Sequence, residues 1–335
     1  MPIRGVCLNG DVGYLDGSLA RLEEELAACR ACGFDGIELS IDGLDVMIGG
    51  RLVPRLADRV RAVTGRFDLT YTVHDPGRLN LAFPGARRNG APDLAMEKAV
   101  LAGCLEFCAA IGAGVLVYHS GLMGLHAAAV GVGPLPDEAA LEAARAQEVA
   151  ALRELMPLAA ERGVVVGMEN RDPHLWELAV LRQAGRSPDE LLAYHPGLSI
   201  PEVVRQVTAV DHPNLGMTLD LGHLYLAANH CGFDFLTAVG QAAPYVRHIH
   251  MHDNLGRLDS GYGGIAATMP FGEADLHMPP GWGTIPLAAA LAHMPEFDGL
   301  CILEIQPRWA DHRAEALAAA RQLVATAPDS SRMDA

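Results

Sequence analysis

Eight short runs of apolar and β-branched residues recur along the chain, and most are followed by a longer segment with helical periodicity. The runs are IRGVCLN (3–9), DGIELSI (35–41), FDLTYTVH (67–74), GVLVYHS (114–120), VVVGMEN (164–170), LGMTLD (215–220), VRHIHMH (246–252) and LCILEIQ (300–306). Between them lie SLARLEEELAACRAC (18–32), DLAMEKAVLAGCLEFCAAIG (93–112) and DEAALEAARAQEVAALRELMPLAAERG (137–163). Gly33, Gly65, Gly112 and Gly163 stand where a helix should end. A strand followed by a helix and another strand pairs in parallel through a right-handed crossover. Eight such units close most economically into a single-domain (β/α)8 TIM barrel, expected over residues 1–327, with 328–335 as a disordered tail. The alternative is an open doubly wound sheet. The turn CLNGDVG after the first run matches its glycine-rich phosphate signature poorly.

Composition narrows the partners. The 335 residues are 50% hydrophobic with a mean hydropathy of +0.17, which suits a large buried core. No uninterrupted apolar stretch reaches 18 residues, so no membrane-spanning helix is expected. The N-terminal MPIRGVCLNGDVGY lacks a signal-peptide pattern, and a cytoplasmic location is the expectation. The formal net charge is −16 and Lys98 is the single lysine, which speaks against a nucleic-acid backbone as ligand. A small molecule is the expected partner, while the oligomeric state is not readable. Seven cysteines are scattered. Cys29 and Cys32 form a C-x-x-C string, but on a helical pattern with no second pair, and Cys104 and Cys108 also lie on a helical run. Buried thiols are expected, not a zinc finger or redox pair.

The carboxyl ends of the runs carry the chemistry. Run three ends at His74, run four at His119, run five at Glu169 and run six at Asp220 with His223 just beyond. Run seven contains His248, His250 and His252 at alternate positions, closed by Asp253, and run eight ends near Glu304. Alternate residues of a strand share one face. A single polar strand end is ordinary, but six directed at one barrel mouth form a constellation. Imidazoles and carboxylates together suit borderline divalent metals, and a cation removes the repulsion among clustered carboxylates. Zinc is the first expectation, with manganese or ferrous iron as alternatives. Two long connections follow runs five (171–198) and seven (253–283). The second is rich in Gly and Pro, resembles a lid, and contains Asp275 and His277 in ADLHMPPGWG.

These residues, in this order, resemble the xylose isomerase-like barrel superfamily, which includes sugar phosphate isomerases and epimerases as well as the endonuclease IV nucleases. The resemblance runs over roughly residues 3–306. In the endonuclease IV branch nine residues hold three metals, and all nine positions have counterparts. By that resemblance His74, His119 and Glu169 would hold one metal, and Glu169, Asp220, His250 and Glu304 a second. His223, Asp275 and His277 would hold a third. Isomerases and epimerases need only the middle set. His248 is then expected to lie in the core or support a ligand, His252 to approach the substrate, and Asp253 either to support the site from behind or to approach the substrate. The first two units, CLNGDVG and GFDGIELSIDG, resemble the isomerase branch instead.

Two enzymatic readings follow. In the first, a metal-dependent hydrolase with a trinuclear site cleaves a phosphoester or similar polar bond in a small phosphorylated or sugar-like molecule. In the alternative, a sugar isomerase, epimerase or related lyase uses one metal on Glu169, Asp220, His250 and Glu304, with Glu169 and Glu304 exchanging a proton. A metal- or sugar-binding barrel without activity is a third reading. The ligand count, and Asp275 and His277 in particular, tips the expectation towards the first. Arg171 and Arg257 are candidates to bind an anion, and Trp176, Trp282 and Tyr262 to pack on a sugar face.

Overall fold

The computed structural model describes residues 3–88, 91–261 and 264–326, so Tyr262 and the expected disordered tail lie outside the described residues. Eight parallel strands close into a barrel: β1 (Gly5–Asn9), β2 (Gly36–Ser40), β3 (Thr70–His74), β4 (Val115–His119), β5 (Val165–Glu169), β6 (Leu215–Asp220), β7 (Val246–Met251) and β8 (Leu300–Leu303). Each pairs with its sequence neighbours, and β1 closes against β8. The open-sheet alternative is therefore excluded.

All the apolar runs but the sixth, which is kept whole as Leu215–Asp220, trim by one to three residues at one or both ends because only the central residues find ladder partners. Outward-facing Ile37, Val73, Leu116, Met168, Leu219 and Ile249 are fully buried in one continuous apolar cluster with the helices outside. The helices end as their punctuation dictates. Gly163 terminates Glu138–Arg162 in the left-handed region at φ 68°, whereas Gly65 stays right-handed at φ −64° and closes its helix without a reversal. Asp93 and Asp137 start their helices by accepting the amides of Met96 and Ala140. All seven cysteines are unpaired. Among the described residues no helix is long and apolar enough to cross a membrane.

Register sets the height of the polar strand ends. His119 is level with Glu169 and Asp220 with His250. The pleat then turns Glu38, Thr72, His248 and His250 into the interior, where none exceeds 2% exposure. The loop after β7 is pinned at its base. Asp253 and Met278 exchange backbone hydrogen bonds of 2.8 and 2.9 Å. The Asp253 carboxylate accepts the amides of Asn254, Gly281 and Ile285 at 2.9 to 3.1 Å. Asp253, expected either to support the site or to approach the substrate, holds the two ends of the lid together, because those amides have no strand or helix partner of their own.

Candidate metal centre

Closure of the barrel brings the nine residues into three adjoining clusters at its C-terminal mouth. In the middle cluster, Glu169, Asp220, His250 and Glu304 each present one donor atom within 4.8 Å of the others. His250 Nδ1 lies 2.8 Å from Glu169 Oε1, 3.4 Å from Glu304 Oε2 and 3.8 Å from Asp220 Oδ2. Glu169, Asp220 and His250 are fully buried. Yet neither oxygen of Glu169 nor His250 Nδ1 makes a hydrogen bond. Buried polar atoms converging on one point without satisfying each other are what a cation requires, and this donor set suits zinc, manganese or ferrous iron.

His74 and His119 approach the same carboxylate from the other side, with their Nε2 atoms 3.5 and 3.1 Å from Glu169 Oε2. Asp75, 1% exposed, sits behind both rings: its Oδ1 lies 3.3 Å from His74 Nδ1 and 3.4 Å from His119 Nδ1. His74 Nδ1 faces the Asp75 backbone carbonyl at 2.9 Å, which turns its Nε2 towards Glu169, while the Asp75 carboxylate and His119 Nδ1 are buried without a hydrogen bond.

The third cluster lies at the rim. His223 and His277 place Nε2 3.3 and 2.6 Å from Asp275 Oδ2. Their Nδ1 atoms face backbone carbonyls, of Asn170 at 3.0 Å and Glu304 at 2.7 Å. Donation of Nδ1–H to a carbonyl leaves Nε2 free as a ligand atom. His277 adopts φ 43°, a left-handed conformation that a side-chain-bearing residue holds only at some cost.

Electrostatics binds the clusters together. Burial works against charge on every member, but the carboxylates hold His74, His223 and His250 well above the usual imidazole range. His277 is pushed up to about 10 by Asp275 despite its burial. Conversely, burial is overcome at Glu169 by His250 and His119, and at Asp275 by His252 and His277, so both carboxyls stay well below the ordinary carboxylate range. His119 moves the other way, lowered by burial and then by the charge of Arg171.

Other expected contacts are placed differently. His252 is fully buried between clusters. Its Nε2 lies 3.2 and 3.3 Å from the two oxygens of Asp220, and its ring stacks on His277 with centroids 4.0 Å apart. It therefore steadies two neighbours, and it joins His223, Asp275 and His277 in the rim's set of donor atoms within 4.8 Å of one another. Arg171 donates Nε to the Ser120 carbonyl at 3.2 Å. Arg257 is exposed and spans the lid to the Phe271 carbonyl at 3.1 Å. Trp282 donates Nε1 to Glu315 at 2.8 Å and packs on Trp309 and His312. Trp176 is 37% exposed, beside His174. None of these lines the cleft above the clusters, a space of about 340 Å³ bordered by Asn9, Asp11, Ser40, Asp42, His74 and Glu304 among others. That volume is near the lower end for small-molecule sites.

Sequence reasoning missed Glu38, Asp75 and Asp172. Glu38 approaches His248 and His250 from below, and Asp172 lies 3.5 Å from His174 and 4.0 Å from His223. A carboxylate inside an otherwise apolar strand, as in GIELS, was the available signal, since such a group needs a buried partner.

The fold and the buried nitrogen–oxygen donor set define an (α/β) barrel equipped to hold a divalent metal. The sequence model of the xylose isomerase-like TIM barrel family matches residues 26–326, and the chain belongs to that family. Its structure is similar to that of a D-tagatose 3-epimerase-like protein, with TM-score 0.64, 19% identity, and 96% of this chain and 98% of the other covered. It is also similar to a D-allulose 3-epimerase from Methylomonas sp. in complex with D-allulose, with TM-score 0.62, 14% identity, and 97% of each chain covered. A third similar structure is an IolI protein with a bound zinc atom, with TM-score 0.61, 18% identity, and 96% of each chain covered. No curated protein sequence matches the chain.

Proposed function

We propose that the protein is a divalent-metal-dependent epimerase or isomerase acting on a small sugar or closely related polyhydroxylated carbonyl compound. The observation that carries this reading is the middle cluster, where two carboxylates from opposite parts of the barrel, Glu169 and Glu304, meet with Asp220 and His250 at one point. The similarity to sugar epimerases supports it, as does the small cleft bordered by carboxylates, imidazoles and neutral polar side chains. The phosphoester reading, preferred on ligand count alone, gives way to it.

A metal held by these four residues would supply positive charge that lowers the cost of removing a proton next to a carbonyl. The chain's own groups do the rest. Glu169 and Glu304, both poised as carboxylates, take a proton from one carbon and return one, and return on the opposite face inverts that centre. His74 and His119 border the cleft and can donate hydrogen bonds to substrate hydroxyls.

The test is exchange with solvent. The metal-loaded protein is incubated in deuterium oxide with unphosphorylated ketoses such as D-allulose, D-fructose and D-tagatose. Deuterium should enter at a carbon adjacent to the carbonyl, and both Glu169→Gln and Glu304→Gln should abolish it. Polar-bond cleavage with no exchange would refute the reading. One specific observation favours a second reading, metal-assisted cleavage of a polar bond: the rim cluster and the His74–His119 pair also gather donor atoms within 4.8 Å of each other.

A further inference from the structure

At the floor of the cleft, beside the middle cluster, lies a carboxylate that the chemistry above does not use. Glu38, on β2, is 2% exposed and lies across the barrel from β7. Its Oε2 accepts a hydrogen bond from Thr72 Oγ1 at 2.8 Å and faces His248 Nε2 at 2.9 Å. Its Oε1 lies 3.0 Å from His250 Nε2. Thr72 and His248 are buried as well, at 1% and 0% exposure. All the partners are held on strands, so the arrangement is set by the barrel itself and not by a loop.

The consequence falls on His250. With Nε2 turned down towards Glu38, the atom left to face Glu169, Asp220 and Glu304 is Nδ1. The 3.0 Å approach of Nε2 to Glu38 is a charge contact without hydrogen-bond alignment. A carboxylate so close to the second nitrogen favours the tautomer with Nε2–H, steadies the ring, and makes Nδ1 a better donor to a metal. A free ring in the same place could rotate and present either nitrogen.

We propose that Glu38 is a positioning residue for the metal centre: braced by Thr72 and His248, it fixes His250 so that Nδ1 is the ligand atom. The inference rests on the middle cluster being the metal site, and it adds a support that reaches the metal only through His250. Glu38 carries the orientation, and Thr72 and His248 fix Glu38.

The experiment measures metal binding without turnover. Purified metal-free wild-type protein, Glu38→Gln and Thr72→Val are titrated with zinc against a chromophoric chelator and melted without metal. Their cobalt-loaded forms are compared by visible absorption. Glu38→Gln should weaken zinc binding by about 10- to 100-fold and shift the cobalt bands, because the amide can hold His250 less firmly or in the other tautomer. Thr72→Val, which leaves Glu38 in place with one fewer donor, should lose affinity in the same direction by a smaller factor. Unchanged affinity and cobalt spectrum in Glu38→Gln, whatever its melting temperature, would overturn the proposal and leave Glu38 as a fold-stabilising group. Should Glu38→Gln not fold, Thr72→Val decides by the same two readouts. Wild-type protein that binds neither ion would instead refute the metal reading itself, a distinguishable result.

Discussion

The middle cluster draws Glu169, Asp220 and His250 from the ends of three neighbouring strands, whereas the rim cluster takes two of its three expected ligands, Asp275 and His277, from the lid. The three strand-held groups are fully buried, while Asp275 and His277 retain side-chain exposures of 11% and 21%. Sites on rigid elements are held more accurately than sites on loops. The strand-held centre is thus built to keep a fixed geometry. The rim is built to depend on how the lid is seated, and His277 holds a left-handed backbone to reach it.

This contrast can be broken at its strongest point first. Glu169 is shared by the middle cluster and the His74–His119 pair, so Glu169→Gln should lower kcat by roughly 10²–10⁴ and weaken metal binding, as steady-state kinetics and chelator competition would show. A variant retaining near-normal turnover would remove Glu169 from the centre. The next effect lies at the junction of the two regions. A Cβ on Gly222 would stand 1.9 Å from Cε1 of His252, so Gly222→Ala must push that ring off Asp220 and His277. Thermal or urea unfolding should register a loss of about 1–3 kcal/mol, with metal binding weakened as well.

The rim itself should matter less. Asp275→Ala combined with His277→Ala should raise KM for the sugar about tenfold, about 1.4 kcal/mol, with a smaller change in kcat. A collapse of kcat equal to that of Glu169→Gln would erase the distinction between centre and rim. The smallest effect belongs to a pair outside all three clusters. Glu177 and His195 are buried in the connection after β5, 2.7 Å apart. Burial alone would raise the Glu177 carboxyl, but His195 and the His174 amide hold it below its ordinary value. A depressed folded pKa contributes stability above the unfolded value of about 4.3 that is lost as pH falls through the folded value. Wild-type urea midpoints should therefore drop more steeply below that pH than those of Glu177→Gln.

How much of this was legible follows from what kind of information each feature needs. The strands were readable because a buried parallel strand is a short apolar run bounded by glycine and polar residues, and runs six and seven end where expected to within a residue. His74, His119, Glu169, Asp220, His250 and Glu304 were readable because strand ends of a barrel share one mouth. Glu38 and Asp75 were not. Their partners lie on other strands, brought level by register and closure, and no local spacing records that. Asp253, Arg257 and Trp282 looked like substrate contacts because they flank or lie in the lid. Instead Asp253 and Arg257 tie the loop to itself, and Trp282 ties it to the C-terminal helix.

The central claim is that one strand-held metal centre carries the chemistry and the rim does not need an ion of its own. Metal content per chain tests it most directly, by mass spectrometry on protein purified without chelator or nickel, beside the Asp275→Ala, His277→Ala double variant. The account predicts one tightly bound metal in both proteins. Two or three metals in the wild type, with one lost in the variant, would contradict it and return the multinuclear cleavage reading to first place.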